Sequence, residues 1–234
     1  MTITLRHQDD PTLEVTLSAP SEEAWAAWFD ETPSSAYTAK YNLLAACRVA
    51  PSEAELTAIA RDWPGLPEAA HPHLFMLGGA IILADAGKAP DPERSENAEV
   101  IDLRAMVELE PNGSDVSNAH ARALAAFVAE GVTVETIRDW IARYPRPKQL
   151  FCVRTAQGFF VFHRPDTRAI IARETKAKSG KLHEAMKGLL YASLVHPAPA
   201  AFTAFCKSSP AAVTVLGTIV SEMKGASAAV VVKK

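Results

Sequence analysis

Residues 43–51 read Leu-Leu-Ala-Ala-Cys-Arg-Val-Ala-Pro, and residues 189–197 read Leu-Leu-Tyr-Ala-Ser-Leu-Val-His-Pro. The two stretches lie 146 positions apart, and they belong to a gapless match between residues 37–80 and residues 183–226. Twelve of the 44 aligned positions are identical. Pro and Gly interrupt helices and shape turns, so their shared register predicts a duplicated structural unit. The aligned helix-breaking residues are Pro51 with Pro197, Pro64 with Pro210, and Gly79 with Gly225.

A β-hairpin is predicted before each copy, because two short runs of alternating or continuous apolar residues flank a turn signal. A proline and a helix N-cap residue follow each hairpin, at Pro20-Ser21 and at Pro165-Asp166. The side-chain oxygen of Ser21 or Asp166 can accept an amide hydrogen from the first turn of the next helix. The predicted strands are 3–5 and 13–17 in the first hairpin, and 150–153 and 159–162 in the second.

Helices are predicted to follow each hairpin. Ser52 and Glu55 form a capping-box pattern directly after Pro51, which predicts a new helix start. The helices of the first copy are predicted at 22–30, 36–49, 53–62 and 66–84, the last one containing Pro72.

The sequence therefore predicts a mostly helical α+β protein with two repeated units, each a hairpin followed by three to four helices. A linker with a short strand near 100–103 and a helical spacer, with helices at 116–130 and 133–144, separate the units. The predicted boundaries are 1–84 for repeat unit 1, 85–113 for the linker, 114–148 for the spacer and 149–230 for repeat unit 2.

The composition favours a globular protein of the cytoplasm. Of the 234 residues, 48% are hydrophobic and 22% are charged, no apolar run is long enough to cross a bilayer, and residues 1–20 lack the order of a signal peptide. Net charge is divided unequally: residues 150–234 carry +8 and the rest carries −11. This asymmetry can steer one half onto the other or onto separate partners, including self-association in a head-to-tail spiral, and it fits equally well two solvated surfaces of opposite sign.

No residue pattern indicates catalysis, a cofactor or a metal, so we expect a protein that is not an enzyme. Phosphate loops, dinucleotide fingerprints and paired-cysteine metal spacings do not occur. His71 and His73 form the nearest approach to a metal pair, but they lack a third ligand at helical spacing. Cys47 aligns with Ser193, and His196 aligns with Ala50, so neither the thiol nor the imidazole is repeated.

Aromatic residues provide the candidate partner-binding positions. Trp25, Trp28 and Phe29 lie on one predicted helix at spacings of three and four. Phe202 and Phe205 occupy the places that Leu56 and Ile59 hold in the first copy. Such a stripe suits either the protein core or a groove for a partner helix.

Residues 125–140 resemble a helix-turn-helix, with Gly131 at the turn. A DNA-reading helix is usually basic, whereas Glu135 and Asp139 here offset Arg138 and Arg143. Nucleic-acid binding is therefore disfavoured, and a DNA-binding regulator stays an alternative.

The repeated pattern resembles the tail assembly chaperones of long-tailed bacteriophages and related elements. The resemblance rests on a set of short motifs, here called stations, that occur in the same order in each copy. It covers about two thirds of the chain. In the first copy the stations are Pro20-Ser21 to Trp28-Phe29, Leu43 to Pro51, Leu56 to Ile59, Trp63-Pro64 and Gly79-Ala80; in the second they are Pro165-Asp166, Leu189 to Pro197, Phe202 to Phe205, Ser209-Pro210 and Gly225-Ala226.

The resemblance implies a non-enzymatic chaperone in the host cytoplasm. Its partners would be a tape measure-like helical protein, whose apolar surface it keeps soluble, and tail-tube subunits. This chain departs from the family in having two units where one is usual, and its second copy lacks the paired tryptophans. A structural component of a phage or contractile-injection particle is the second alternative.

Overall fold

The protein is described by a computed structural model and has an α+β fold that divides into two compact units. Unit 1 comprises Met1–Ala80, Ala172–Lys187 and Phe202–Val215, and unit 2 comprises Ile81–Ile171, Gly188–Ala201 and Leu216–Lys234. Each unit is therefore assembled from segments that are distant in sequence. The structure describes residues 2–8, 10–79, 82–83, 97–104, 127–144, 150–155 and 158–223.

The sheet of unit 1 has the strand order β1-β2-β3. β1 (Thr2–Arg6) and β2 (Glu14–Ser18) form the predicted hairpin, and β3 (Arg48–Ala50) pairs antiparallel with β2. Val15 and Leu17 alternate with polar residues along β2 and are fully buried. One face of this sheet therefore packs on the core, as strand periodicity requires.

Four helices complete the first part of unit 1, and side-chain caps set their starts. Ser21 Oγ accepts a hydrogen bond from Ala24 N at 3.1 Å, and Ser52 and Glu55 form the predicted capping box. The helices are α1 (Glu22–Glu31), α2 (Ala36–Cys47), α3 (Glu53–Asp62) and α4 (Leu66–Leu77).

Two predicted helix ends are wrong. The helix predicted at 36–49 ends at Cys47, because the following residues pair with β2 and Pro51 disfavours helical geometry at the residue before it. The helix predicted at 66–84 ends at Leu77, where Gly78 caps it and Gly79 takes a positive φ of 75°. A left-handed residue after a helix is a common way to terminate it.

The second sheet has the order β4-β5-β6-β7-β8 and belongs to unit 2. Its centre is the predicted second hairpin, in which Phe151 lies opposite Phe162. At one side of the sheet β4 pairs with β5 in parallel over two residues, and the remaining pairings are antiparallel. The strands are β4 (Ile82–Leu83), β5 (Asn97–Asp102), β6 (Leu150–Thr155), β7 (Gly158–His163) and β8 (Leu194–His196).

The later helices repeat the element order seen after the first hairpin: two helices, a short strand and two helices. Asp166 Oδ1 accepts a hydrogen bond from Ala169 N at 2.8 Å, which is the cap that the sequence predicts. The peptide bonds before Pro51 and Pro197 are both cis. The helices are α6 (Thr167–Lys178), α7 (Leu182–Ser193), α8 (Pro199–Ser208) and α9 (Pro210–Glu222), and α5 (Val134–Arg143) precedes the second hairpin.

A second apolar core fills unit 2. Phe127, Ile137 and Trp140 pack with Leu150 and Phe159 of the second hairpin. Residues 127–129 are helical, and residues 116–126 of the predicted spacer helix lie outside the described part. The predicted linker is described only at 97–104, where β5 includes most of the predicted short strand. The repeat-unit boundaries of the sequence analysis stay a prediction.

Among the described helices, none is long and apolar enough by itself to span a membrane. α8 and α9 reach that length and composition only when joined, and a bend of 120° separates them.

Candidate functional site

Helix α1 carries three of the five predicted partner-binding residues. Trp25, Trp28 and Phe29 lie along one side of this ten-residue helix, because positions three and four apart share a helix face. Trp25 is fully buried, Trp28 is 8% exposed, and Phe29 is partly buried against the core of unit 1. Most of this stripe is therefore core rather than an open groove.

An aromatic cluster forms around these residues, and we define it as Trp25, Trp28, Phe29, His71 and Phe75. The ring centroids of Trp25 and Trp28 are 4.6 Å apart, and Trp28 lies 5.0 Å from His71. Phe75 contacts Trp25 with a centroid distance of 5.2 Å in an edge-to-face arrangement. Such aromatic pairs add about 0.5–1.5 kcal/mol each beyond the apolar area that they bury, so the cluster fixes α1 against α4.

Two buried nitrogens of the aromatic cluster have no hydrogen-bond partner within the described residues: Trp28 Nε1 and His71 Nε2. Burial lowers the pKa of His71, Lys40 lowers it further, and Glu68 partly opposes the shift. His71 therefore favours its neutral form. Buried polar atoms usually have a hydrogen-bond partner. Within the described residues these two nitrogens are exceptions, and they are polar atoms in an otherwise apolar cluster.

The other two predicted residues lie on α8. Phe202 is fully buried and Phe205 is partly exposed, with their ring centroids 6.1 Å apart. Both belong to unit 1, as do the three residues on α1. The structure thus places all five predicted residues in one compact unit.

An ionic cluster on the same unit was not foreseen from the sequence, and we define it as Glu22, Asp30, His183 and Lys187. Lys187 Nζ donates a hydrogen bond to Glu22 Oε1. His183 Nε2 lies 3.9 Å from that same carboxylate oxygen. Asp30 Oδ1 accepts a hydrogen bond from the backbone N of His183 at 2.8 Å. That amide is in the first turn of α7, whose N–H groups lack helical acceptors, so Asp30 completes the start of the helix.

Burial, rather than the charges of the ionic cluster, favours the neutral form of His183. Its side chain is 4% exposed, and burial is the main reason that its pKa is lowered. Lys187 lowers the pKa further, while Glu22, Asp30 and Glu184 oppose the shift. No single sequence motif could have located this cluster, because its partners are 153 and 165 positions apart.

Two of the three cysteines lack the lowered pKa of a nucleophilic thiol. Burial raises the pKa of the Cys47 thiol to about 11 and that of the Cys206 thiol to about 12. Cys152 is also buried and is not in a disulfide. Thiolates, not thiols, are the reactive form, so Cys47 and Cys206 act as small core residues. Across the described residues, no group of three or more His, Cys, Asp or Glu side chains could hold a metal ion.

The region predicted to resemble a helix-turn-helix supplies core residues to unit 2. Gly131 has the positive φ of a turn, at 77°, and Thr133 caps α5 through Thr136 N. Ile137 and Trp140 of α5 are buried. Its exposed face carries Glu135, Arg138, Asp139 and Arg143, whose charges cancel.

Comparison of the chain with protein-family models, curated proteins and solved structures finds no match.

Proposed function

We propose that this protein is a non-enzymatic assembly chaperone of the phage-tail type. In this proposal it acts in the host cytoplasm, binds a tape measure-like helical protein and assists the assembly of tail-tube subunits. The supporting observation is that several caps and breaks of the resemblance fall at helix boundaries among the described residues. In both parts of the chain the same succession follows the hairpin: two helices, a short strand and two helices.

Several of the stations lie at helix starts or between helices. Ser21 caps α1, and Trp63-Pro64 lies between α3 and α4. In the later part of the chain, Asp166 caps α6 and Ser209-Pro210 separates α8 from α9. A pattern that consists of caps and breaks specifies a packing and binding module, which is the property that a chaperone requires.

The buried state of the reactive side chains also supports a non-enzymatic role. The thiols of Cys47 and Cys206 have raised pKa values, and His71 and His183 are largely or fully buried with lowered pKa values. General acid-base catalysis requires a group that can reach the substrate. These four side chains instead lie partly or fully buried in unit 1.

The surface that best suits an apolar helix is on α4. Ala69, Pro72 and Met76 are exposed at spacings of three and four, and they form an apolar stripe along the helix. Glu68 and His73 flank this stripe and are also exposed. An apolar stripe with polar edges is the arrangement by which amphipathic helices recognise each other. We therefore assign the partner helix to α4 rather than to the buried tryptophans of α1.

The test is co-expression with a long helical tape measure-like protein, followed by pull-down and by measurement of that protein's solubility. We expect association with the unaltered chain and its loss in Met76→Glu. Ile171→Glu is the matched control, because Ile171 is an exposed apolar residue of α6 in unit 2. If the unaltered chain fails to associate or to raise solubility, the proposal is wrong. Presence of the protein in purified mature particles would favour the structural-component alternative.

A further inference from the structure

The outer edge of β1, which faces away from β2, is available for pairing with another strand. β1 is the first strand in the order β1-β2-β3, and within the described residues β2 is its sole paired strand. An edge strand presents backbone N–H and C=O groups that can pair with another chain. The direction in which these groups point follows from the register of the hairpin.

The backbone groups of Thr2, Thr4 and Arg6 point away from β2. The ladder continues past Arg6 with a hydrogen bond from His7 N to Leu13 O at 3.0 Å. Antiparallel ladders alternate between hydrogen-bonded and non-hydrogen-bonded pairs, so residues 3, 5 and 7 bond to β2 and the even-numbered residues do not. The close side-chain contact between Thr4 and Thr16, with 3.0 Å between hydroxyl oxygens, is typical of a non-hydrogen-bonded pair.

The second sheet shows what such an edge can accept. β6 is the first strand of the second hairpin, as β1 is of the first. The outer edge of β6 pairs with β5 in antiparallel orientation, with Val100 opposite Val153. The corresponding edge of β1 has no added strand among the described residues.

We propose that the β1 edge pairs with β1 of a second copy of this chain, in antiparallel orientation and centred on Thr4. The sequence of β1 is Thr-Ile-Thr-Leu-Arg, and it is self-complementary in this arrangement. Thr4 faces Thr4 of the second copy, Ile3 faces Leu5, and Thr2 faces Arg6. The two Thr4 residues exchange two backbone hydrogen bonds across a two-fold axis.

The side chains suit this symmetric pairing. Ile3 and Leu5 pack against the core of unit 1, so the dimer places apolar residues beside apolar residues on one face. Thr2, Thr4 and Arg6 lie together on the exposed face. Arg6 is already paired with Glu14, with 2.5 Å between Nε and Oε2, and it faces Thr2 of the second copy rather than another arginine. Like charges directly opposite each other would destabilise a sheet.

This interface is closed, because each β1 edge is used once by a two-fold operation. It therefore predicts a dimer, whereas pairing driven by the opposite charges of the two halves of the chain predicts an open head-to-tail assembly. The inference does not depend on the chaperone proposal, since dimerisation is measured without any tape measure-like protein.

The first experiment is sedimentation velocity over a dilution series of the full chain. We expect a monomer–dimer equilibrium that Thr4→Pro weakens about tenfold or more, because each dimer loses both central N–H donors. Proline is tolerated on an edge strand when the lost N–H faces outward. Thr4→Val is the matched control, since it keeps the N–H group and should keep the dimer. A monomer at every concentration, an open assembly, or a dimer that Thr4→Pro leaves unchanged would each overturn the proposal.

A second measurement keeps the test decisive if Thr4→Pro unfolds. Thr4→Cys places a thiol at the two-fold axis, so a short bis-maleimide should cross-link the variant to a dimer in high yield. Thr12→Cys, in the exposed turn of the same hairpin, is the control and should remain monomeric under the same treatment. Equal cross-linking of the two variants would contradict the β1 interface.

Discussion

The indole Nε1 of Trp25 donates a hydrogen bond to Thr214 Oγ1 at 3.1 Å, although the two residues are 189 positions apart. Trp25 is fully buried in unit 1, and a buried indole N–H usually has an acceptor. This bond joins α1 to α9 through Trp25, which the sequence had predicted to bind a partner. It explains why the tryptophan serves the core.

Thr214→Val should destabilise the protein by about 1–3 kcal/mol, because it leaves the Trp25 N–H buried without an acceptor while keeping the side-chain shape. Equilibrium unfolding in urea measures the loss. The control is the same substitution in a Trp25→Phe background, where no indole N–H remains to be satisfied. An equal cost in both backgrounds would show that the hydrogen bond does not contribute.

The pair of Glu22 and Lys187 should show a coupling free energy larger than that of a surface ion pair. Their side chains are 17% and 26% exposed, so solvent screens them less than it screens Arg6 and Glu14. A double-mutant cycle with Glu22→Gln and Lys187→Met should give a coupling of about 1.5–3 kcal/mol. The cycle for Arg6 and Glu14 is the matched control, and it should give about 1 kcal/mol or less.

His183 should make the protein less stable in acid. Its pKa is lowered by burial from an ordinary value of 6.5, so the unfolded chain takes up a proton at a higher pH than the folded chain does. Stability is then fully present above pH 6.5 and falls as the pH decreases through the folded pKa. The groups that face the ring are Glu22, Asp30, Glu184 and Lys187.

Urea unfolding at a series of pH values below and above 6.5 tests this pH dependence. His183→Gln should reduce the slope of unfolding free energy against pH. Some slope should remain, because burial also lowers the pKa values of His71 and His196. An unchanged slope in the variant would show that folding does not lower the pKa of His183.

Gly79→Ala should cost more stability than Gly131→Ala. Both glycines have a positive φ, at 75° and 77°, so each substitution incurs about 1–2 kcal/mol of left-handed backbone strain. A Cβ at Gly79 would also lie 2.7 Å from Ser209 Oγ, whereas a Cβ at Gly131 meets nothing within 4 Å. Thermal unfolding of the two variants measures the difference, and equal losses would exclude the close approach to Ser209.

Local signals in the sequence predicted local structure well. The start of α3 at Glu53 and the cap of α6 at Asp166 were confirmed, because a capping side chain and its amide partner are three residues apart. The end of α2 was wrong, since β3 forms through pairing with β2 about thirty residues earlier. A helix-period pattern contains no information about such a distant strand.

The candidate site was harder to predict. The spacing of Trp25, Trp28 and Phe29 favoured a core and also fitted a groove, and burial distinguishes them only in the folded chain. The bond between Lys187 and Glu22 joins positions 165 apart, which no local pattern can indicate. Periodicity identifies which face of a helix is apolar, but the occupant of that face depends on tertiary structure.

The division of unit 1 among Met1–Ala80, Ala172–Lys187 and Phe202–Val215 has a consequence for synthesis on the ribosome. At typical elongation rates of about 5–20 residues per second, the N-terminal segment emerges on the order of ten seconds before the last segment exists. During that interval Trp25 lacks Thr214 and Glu22 lacks Lys187. The nascent chain therefore lacks these two long-range contacts while translation continues, and a pause or truncation before residue 202 would leave the Trp25 indole N–H without Thr214 as its acceptor.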